Sequence, residues 1–292
     1  MTAWTPTKPA PHQRLRGTDA DSAERQGAGP SHIRLRRLAP RELGPVGLAF
    51  GPLALLVVWQ LASSIGLLSP QQLAAPWTAV TTGYELLVTG ELLPHLLASA
   101  QRAYLGLAVG VGLGLVAALL AGLTRAGEAS IDSLVQIKRA VPTLALIPLA
   151  ILWLGIGESM KISVIAASVF VPIYINTHAA LRGIDQRYVE LAHTTDVRRA
   201  EFIRRVALPG ALPGFLTGLR LAVTMCWTAL VVLEQINATE GIGYVMNRAR
   251  DFGQTDVIVV GLVVYAAMGL LSDGIVKAIQ RRALSYRKAL GS

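Results

Sequence analysis

Cysteine is almost missing: the single Cys226 lies inside an apolar run without a partner, which excludes an intramolecular disulfide and any CxxC metal site. Lysine is scarce too. None of the five lysines, Lys8, Lys138, Lys161, Lys277 and Lys288, follows a glycine, so no GxxxxGK(S/T) phosphate loop exists and the chain has no apparatus of its own for hydrolysing ATP. There is no HExxH, no GxSxG and no cysteine beside a poised histidine, so no residue is assigned as catalytic or as a metal ligand, and the chain reads as no enzyme. Charged residues fill only 15% of the 292 positions while 52% are hydrophobic, which is too apolar for a soluble protein of this length. The chain belongs in a bilayer.

What charge there is has a pattern. The 27 Lys and Arg against 18 Asp and Glu give a net +9, and the basic residues fall between apolar spans rather than in one aromatic-interleaved patch. Membrane topology explains this better than nucleic acid, which is not expected as a partner. Six apolar stretches, about 46–68, 95–123, 140–154, 162–181, 212–236 and 256–278, predict an all-α polytopic fold with six transmembrane helices and both ends in the cytoplasm. Residues 1–42 are rich in Pro, Gly, Ser, Arg and Asp and read as a disordered cytoplasmic segment, with 43–292 as the membrane domain. No apolar core stands near the start, so an uncleaved cytoplasmic N-terminus is expected, with residues 33–41 either lying on the inner lipid surface or merely solvated.

Several positions inside the spans stand out. Gly106, Gly110 and Gly114 form an i, i+4, i+8 ladder that lets a neighbouring backbone approach. Pro142 and Pro148 interrupt the third span, and the carbonyls they free are tolerated only against protein or a wet cavity, which predicts a lining role. Asn176, Thr177 and His178 in the fourth span either line a pathway or hydrogen-bond between helices. Arg220 in the fifth span could snorkel, pair or line a cavity. Asn176 and Arg220 are therefore the candidate pathway or gating residues. Glu234 lies near the outer end, and Asp273 and Lys277 at i, i+4 read as an ion pair. Arg102, Arg220, Arg248 and Arg250 could together give a weakly positive path for an anion, or each could serve only topology or an ion pair.

Between the fourth and fifth spans lies a polar, arginine-rich island, 185–214, reading helix, turn, helix. Asp185 can cap a first helix ending near Thr195, and Asp196 can cap a second that ends at Pro209. Along the second, Val197, Ala200, Ile203 and Val206 recur at helical spacing with Arg198, Arg199, Glu201, Arg204 and Arg205 on the other faces. Charge alone leaves two readings open, a docking surface or a topology-setting loop.

The order Glu190-Leu191-Ala192, a turn at Asp196, then Val206-Ala207-Leu208-Pro209 and Pro213, resembles the "EAA" coupling loop of permease subunits in bacterial ATP-binding-cassette importers. Leu191 replaces the first alanine, and Asp196 stands where that pattern has glycine. RAVPTLALIPLAILWLGIGE and FVPIYINTHAALRGID resemble the third and fourth spans of the nitrate, taurine and aliphatic sulfonate branch, so the resemblance covers about 45–290. It implies the type I importer permease fold, with a coupling loop, 185–211, in which Glu190, Ala192, Asp196, Arg204 and Pro209 dock on an ATPase. It also implies an assembly in the cell membrane: two permease copies, two cytoplasmic ATPase subunits that carry ATP and Mg, and an extracytoplasmic solute-binding protein. This chain itself holds no cofactor. The implied solute is a small oxyanion, an aliphatic sulfonate first, with nitrate, taurine or a vitamin precursor as alternatives. An ion-coupled secondary transporter is the competing class, against which stand the lack of repeated halves and of a buried acid pair.

Overall fold

The computed structural model describes residues 45–285. The expected disordered segment 1–42, its basic stretch 33–41, and the terminal Arg287 and Lys288 lie outside those residues. By its internal contacts the chain divides after Gly51. The described part of the first unit, 45–51, is helical, and everything that follows concerns the second unit, Pro52–Ser292.

All regular structure among the described residues is helical. In chain order the α-helices are α1 (Pro45–Ser64), α2 (Pro76–Val88), α3 (Leu92–Leu123), α4 (Arg125–Gly127), α5 (Ser133–Ala140), α6 (Ile147–Leu154) and α7 (Glu158–Arg182). Then come α8 (Gln186–Thr194), α9 (Arg199–Phe202), α10 (Leu208–Asn237), α11 (Ile242–Asp251) and α12 (Thr255–Ala283). Five-residue π-helical turns join α4 to α5 (Glu128–Asp132) and α9 to α10 (Ile203–Ala207), and a 3-10 turn (Thr143–Leu146) precedes α6.

The core is built around α7, which packs along α3 on one side and α10 on the other. In lipid the hydrophobic effect does not draw helices together, so close van der Waals fit must do it. Glycine supplies the fit on both sides. A Cβ on Gly110 of α3 would lie 2.6 Å from the Ala166 carbonyl oxygen and 2.7 Å from Val169 Cβ, and Gly106 and Gly114 meet Ile165 and Ile173 in the same way. On the opposite side a Cβ on Gly218 of α10 would lie 2.7 Å from the Pro172 carbonyl. Ile165, Val169 and Ile173 thereby reach full burial together with Leu230 and Leu233 of α10. The glycine ladder of the sequence is this seam.

Four helical stretches are long and apolar enough to cross a membrane: α3, α7, the continuous stretch Arg199–Ile236, and α12. A fifth is reached if Arg125–Ala140 and Thr143–Leu154, which meet at 90°, count as one broken span. The apolar part of α1 described here, Phe50–Ser64, is shorter, so the six-span count expected from the sequence is not reached among the described residues. The third span, expected as 140–154, is an elbow instead. Pro142 cannot donate a backbone hydrogen bond and forces Val141 into an extended conformation (φ −91°, ψ 120°), which ends α5, whereas Pro148 falls in the first turn of α6 where its missing donor costs nothing.

Two segments that lie between the expected spans are helices. In α11 Ile242, Met246 and Ala249 are buried at i, i+4 and i+7, a short amphipathic period that the flanking glycines conceal in the sequence. In α2, Pro76 begins a helix that packs on α12, with Gly83 opposite Val260.

Candidate functional site

At the end of the bundle where α7 leads into α8, the chain leaves its core and returns through a short helical hairpin. Asp185 caps α8, its carboxylate accepting from the Arg187 N–H at 2.9 Å. Tyr188, Glu190 and Leu191 are exposed along α8, and Ala192 is half-buried. The return helix begins at Arg198, and its packed face is formed by half-buried Phe202 and buried Ala207 against Leu181, Ala211, Leu119 and Leu123. Arg199 Nη2 donates to the Leu123 carbonyl at the end of α3 (2.5 Å), and Arg205 pairs with Glu201 (3.1 Å). Arg198, Ala200, Glu201, Arg204 and Arg205 surround a concave surface of about 530 Å³.

Three sequence expectations change here. Val197 lies before the return helix, and both it and Ala200 are exposed, so neither shares a packed face with the half-buried Ile203 and Val206. Pro209 does not end the second helix. It stands in the first turn of α10, directly after the π turn, where the widened register keeps its ring off the carbonyl of the preceding turn, and the helix continues unbroken into the membrane.

Asp196, finally, does not cap the second helix. Its φ is +52°, and the Val197 N–H bonds the Ala192 carbonyl at 3.0 Å, so it occupies the left-handed position that closes α8 in a Schellman turn. The left-handed conformation costs an L-residue roughly 1–2 kcal/mol, a cost glycine does not carry and aspartate partly escapes through its short polar side chain. Asp196→Gly is therefore expected to raise the thermal stability of the purified protein, by up to about 1 kcal/mol, and Asp196→Ala to lower it. Thermal unfolding in detergent checks this, and equal shifts for the two variants would contradict the turn.

Just inside the bundle at the same end, a polar cluster joins the 125–140 segment to α7. Glu128 pairs with Arg182 (2.5 Å), and Asp132 accepts from the Tyr174 hydroxyl (3.1 Å) and lies 3.7 Å from His178 Nδ1. Tyr174 stacks between Phe170 and His178. His178 stacks against this cluster, but 3.7 Å to Asp132 is beyond hydrogen-bond distance and its buried Nε2 has no hydrogen-bond partner among the described residues. Asn176, one of the two pathway candidates, donates to the Pro172 carbonyl (2.8 Å) and borders a cavity of about 380 Å³ between the Pro142 elbow, α7 and α10. Arg220, the other, does not reach that cavity: its Nε pairs with Asp273 (3.0 Å), which also takes Lys277 Nζ (2.6 Å). The two candidates are not brought together.

The far end of the bundle holds a network that the sequence did not announce. Arg102, 3% exposed, sends Nε and Nη2 to the two Glu158 oxygens (2.6 and 2.9 Å) and Nη1 to Glu234 (2.8 Å) and to the Glu240 carbonyl (2.6 Å). Glu234, 1% exposed, also accepts from Ser99, from the Tyr265 hydroxyl (2.8 Å) and from the Gly243 N–H (2.9 Å). Lys161 completes the ring on Glu158 (2.9 Å). Four elements, α3, α7, α10 and α12, and the start of α11 are thus tied at one point. Arg102 is fully engaged there, which favours the ion-pair reading of this residue over a contribution to an anion path. His95, at the rim, accepts from the Gly241 N–H (3.1 Å).

Residues 110–285 match the family described as "Binding-protein-dependent transport system inner membrane component". Over 240 residues, 82% of this chain and 91% of the relative, the sequence is 44% identical to a protein of Escherichia coli (strain K12) named as aliphatic sulfonates transport permease protein SsuC. A protein of the same name from Bacillus subtilis (strain 168) is 39% identical over 238 residues, 82% of this chain and 86% of its own length. Among solved structures, one described as "Crystal structure of an amino acid ABC transporter with histidines" superimposes with a TM-score of 0.56 over 68% of this chain and 97% of that one, at 18% identity, which bears on the fold alone.

Proposed function

Since the chain belongs to the binding-protein-dependent transport system inner membrane components and is the multi-pass permease of an ABC importer, we propose that its solute is a small oxyanion, an aliphatic sulfonate in the first place. Two copies enclose the pathway, an extracytoplasmic protein delivers the solute, and two ATPase subunits carry ATP and Mg. The α8 end faces the cytoplasm, as do both termini.

The observation that carries the mechanism is continuity. The arginine-bearing return helix runs without a break from Arg199 to Ile236, 38 residues, so a push on its exposed turn moves a whole span rather than a loop. The glycine contacts of Gly218 and Gly110 leave α10, α7 and α3 no slack against one another, and the three respond as one body. Glu190 and Arg204 present the docking surface, Asp196 and Ala192 set the angle between the two short helices, and Pro209 marks where the return helix enters the membrane. Closure of the ATPase pair on ATP would then rotate the spans and turn the pathway from inward to outward facing.

Deleting the gene for this chain, in a strain without another sulfonate importer, is expected to abolish growth on ethanesulfonate as sole sulfur source while leaving growth on sulfate intact. Undiminished growth on ethanesulfonate and taurine would remove the preferred solute. Loss of nitrate uptake in the same strain would promote the inorganic alternative.

A further inference from the structure

We infer that Lys138 and Arg139, held at the Pro142 elbow, form with Thr143 and Asn176 an oxyanion half-site partway across the membrane domain. The inference rests on the reading of this chain as an oxyanion permease and goes beyond it by naming the residues that meet the solute.

Depth is the first observation. Lys138 Nζ donates to the Ala167 carbonyl and to Thr143 Oγ1 (2.9 Å). Ala167 lies about 14 Å along α7 from Glu158 and about 22 Å from Arg182, at about 1.5 Å per residue. The ammonium group therefore sits well inside the thickness of a bilayer, where an ionisable side chain is expensive and marks a pathway. The 90° bend makes this possible by carrying the end of α5 inward rather than leaving it at the surface.

Charge and shape are the second. Lys138 and Arg139 border the cavity of about 380 Å³, with Asn176 on one wall and Leu221 and Met225 on another. No acidic residue lines it. Lys138 is fixed by its two bonds to the elbow, while the exposed Arg139 guanidinium makes no hydrogen bond or ion pair among the described residues. A planar fork of free donors beside a fixed ammonium suits a sulfonate, whose three oxygens share one negative charge. The apolar wall of Leu221 and Met225, each 48% exposed, suits its alkyl part. Only one side is lined by this copy, so attraction stays weak, as a conduit needs for release.

The test uses the full chain in its assembled importer, in membrane vesicles. Asn176→Cys, and separately Met225→Cys, places a thiol in the cavity, the native Cys226 being buried and shielded from reagent. Each thiol is treated with sulfonatoethyl methanethiosulfonate, itself an ethanesulfonate, and with its trimethylammonium counterpart. The anionic reagent is expected to react faster, relative to a free thiol in solution, by about tenfold or more, and Arg139→Gln is expected to remove most of that preference while Arg139→Lys retains it. Lys138→Met should reduce it further. No charge preference, a preference unchanged by Arg139→Gln, or thiols unreactive at both positions would each overturn the half-site. A wild-type importer that carries no sulfonate would overturn the solute reading instead, and the labelling ratios would still decide the half-site.

Discussion

Arg102→Ala is expected to cost about 3–5 kcal/mol, enough to remove most folded protein from the membrane, because it strips the counter-charge from a carboxylate that has no access to water. Glu234 is 1% exposed, and Ser99, Tyr265 and the Gly243 N–H would remain around it as neutral donors unable to replace a guanidinium. The loss would also leave Glu158 at the start of α7 paired only with Lys161 of its own helix, so the tie between α3, α7 and α10 would be cut. Thermal unfolding and size-exclusion profiles of the purified protein read this directly. The double change Arg102→Met with Glu234→Gln should recover a large part of the stability, since it removes both charges rather than one. A single Arg102→Ala variant within about 0.5 kcal/mol of wild type would show that the network is ornamental.

The second large effect is functional rather than structural. Arg204→Glu, and to a lesser degree Glu190→Ala, are expected to cut solute uptake at least about tenfold with the spans inserted and the Tm within a few degrees, as both side chains are exposed and neither makes a hydrogen bond or ion pair among the described residues. Reversing Arg204 changes the sign of the charge offered to the ATPase, and a like-charge contact at an interface costs several kcal/mol. ATP hydrolysis that no longer rises with loaded binding protein, or loss of the ATPase from the purified assembly, is the expected readout. Normal association together with normal stimulation would mean that the hairpin is not the docking element.

What was readable in the sequence depended on whether a residue's role is local. The Gly106, Gly110, Gly114 ladder and the Asp185 cap could be found because spacing along one helix, or one turn, decides them. Asp196 was misassigned because aspartate suits both an N-cap and a left-handed C-terminal turn, and only the backbone (φ +52°) distinguishes them. Pro209 misled for a related reason: proline ends a regular helix but is harmless at the first turn that follows a π insertion, and no residue pattern announces that insertion. The sequence leaves Arg102 open between an anion path and an ion pair because its partners, Glu158 and Glu234, are 56 and 132 residues away, distances that only the packing of α3, α7 and α10 closes. Lys138 was read as a topology signal for the same reason; its depth follows from the elbow.

This permease is expected to move an alkyl sulfonate only when ATP is hydrolysed by subunits bound to its hairpin. Uptake of isotopically labelled ethanesulfonate into proteoliposomes, measured with the permease, its ATPase and its binding protein present, with and without ATP and in the absence of any ion gradient, tests that claim. Accumulation is expected with ATP, and none without it or without the ATPase. Accumulation driven by a proton or sodium gradient in vesicles holding this chain alone would contradict it and make the protein an ion-coupled transporter.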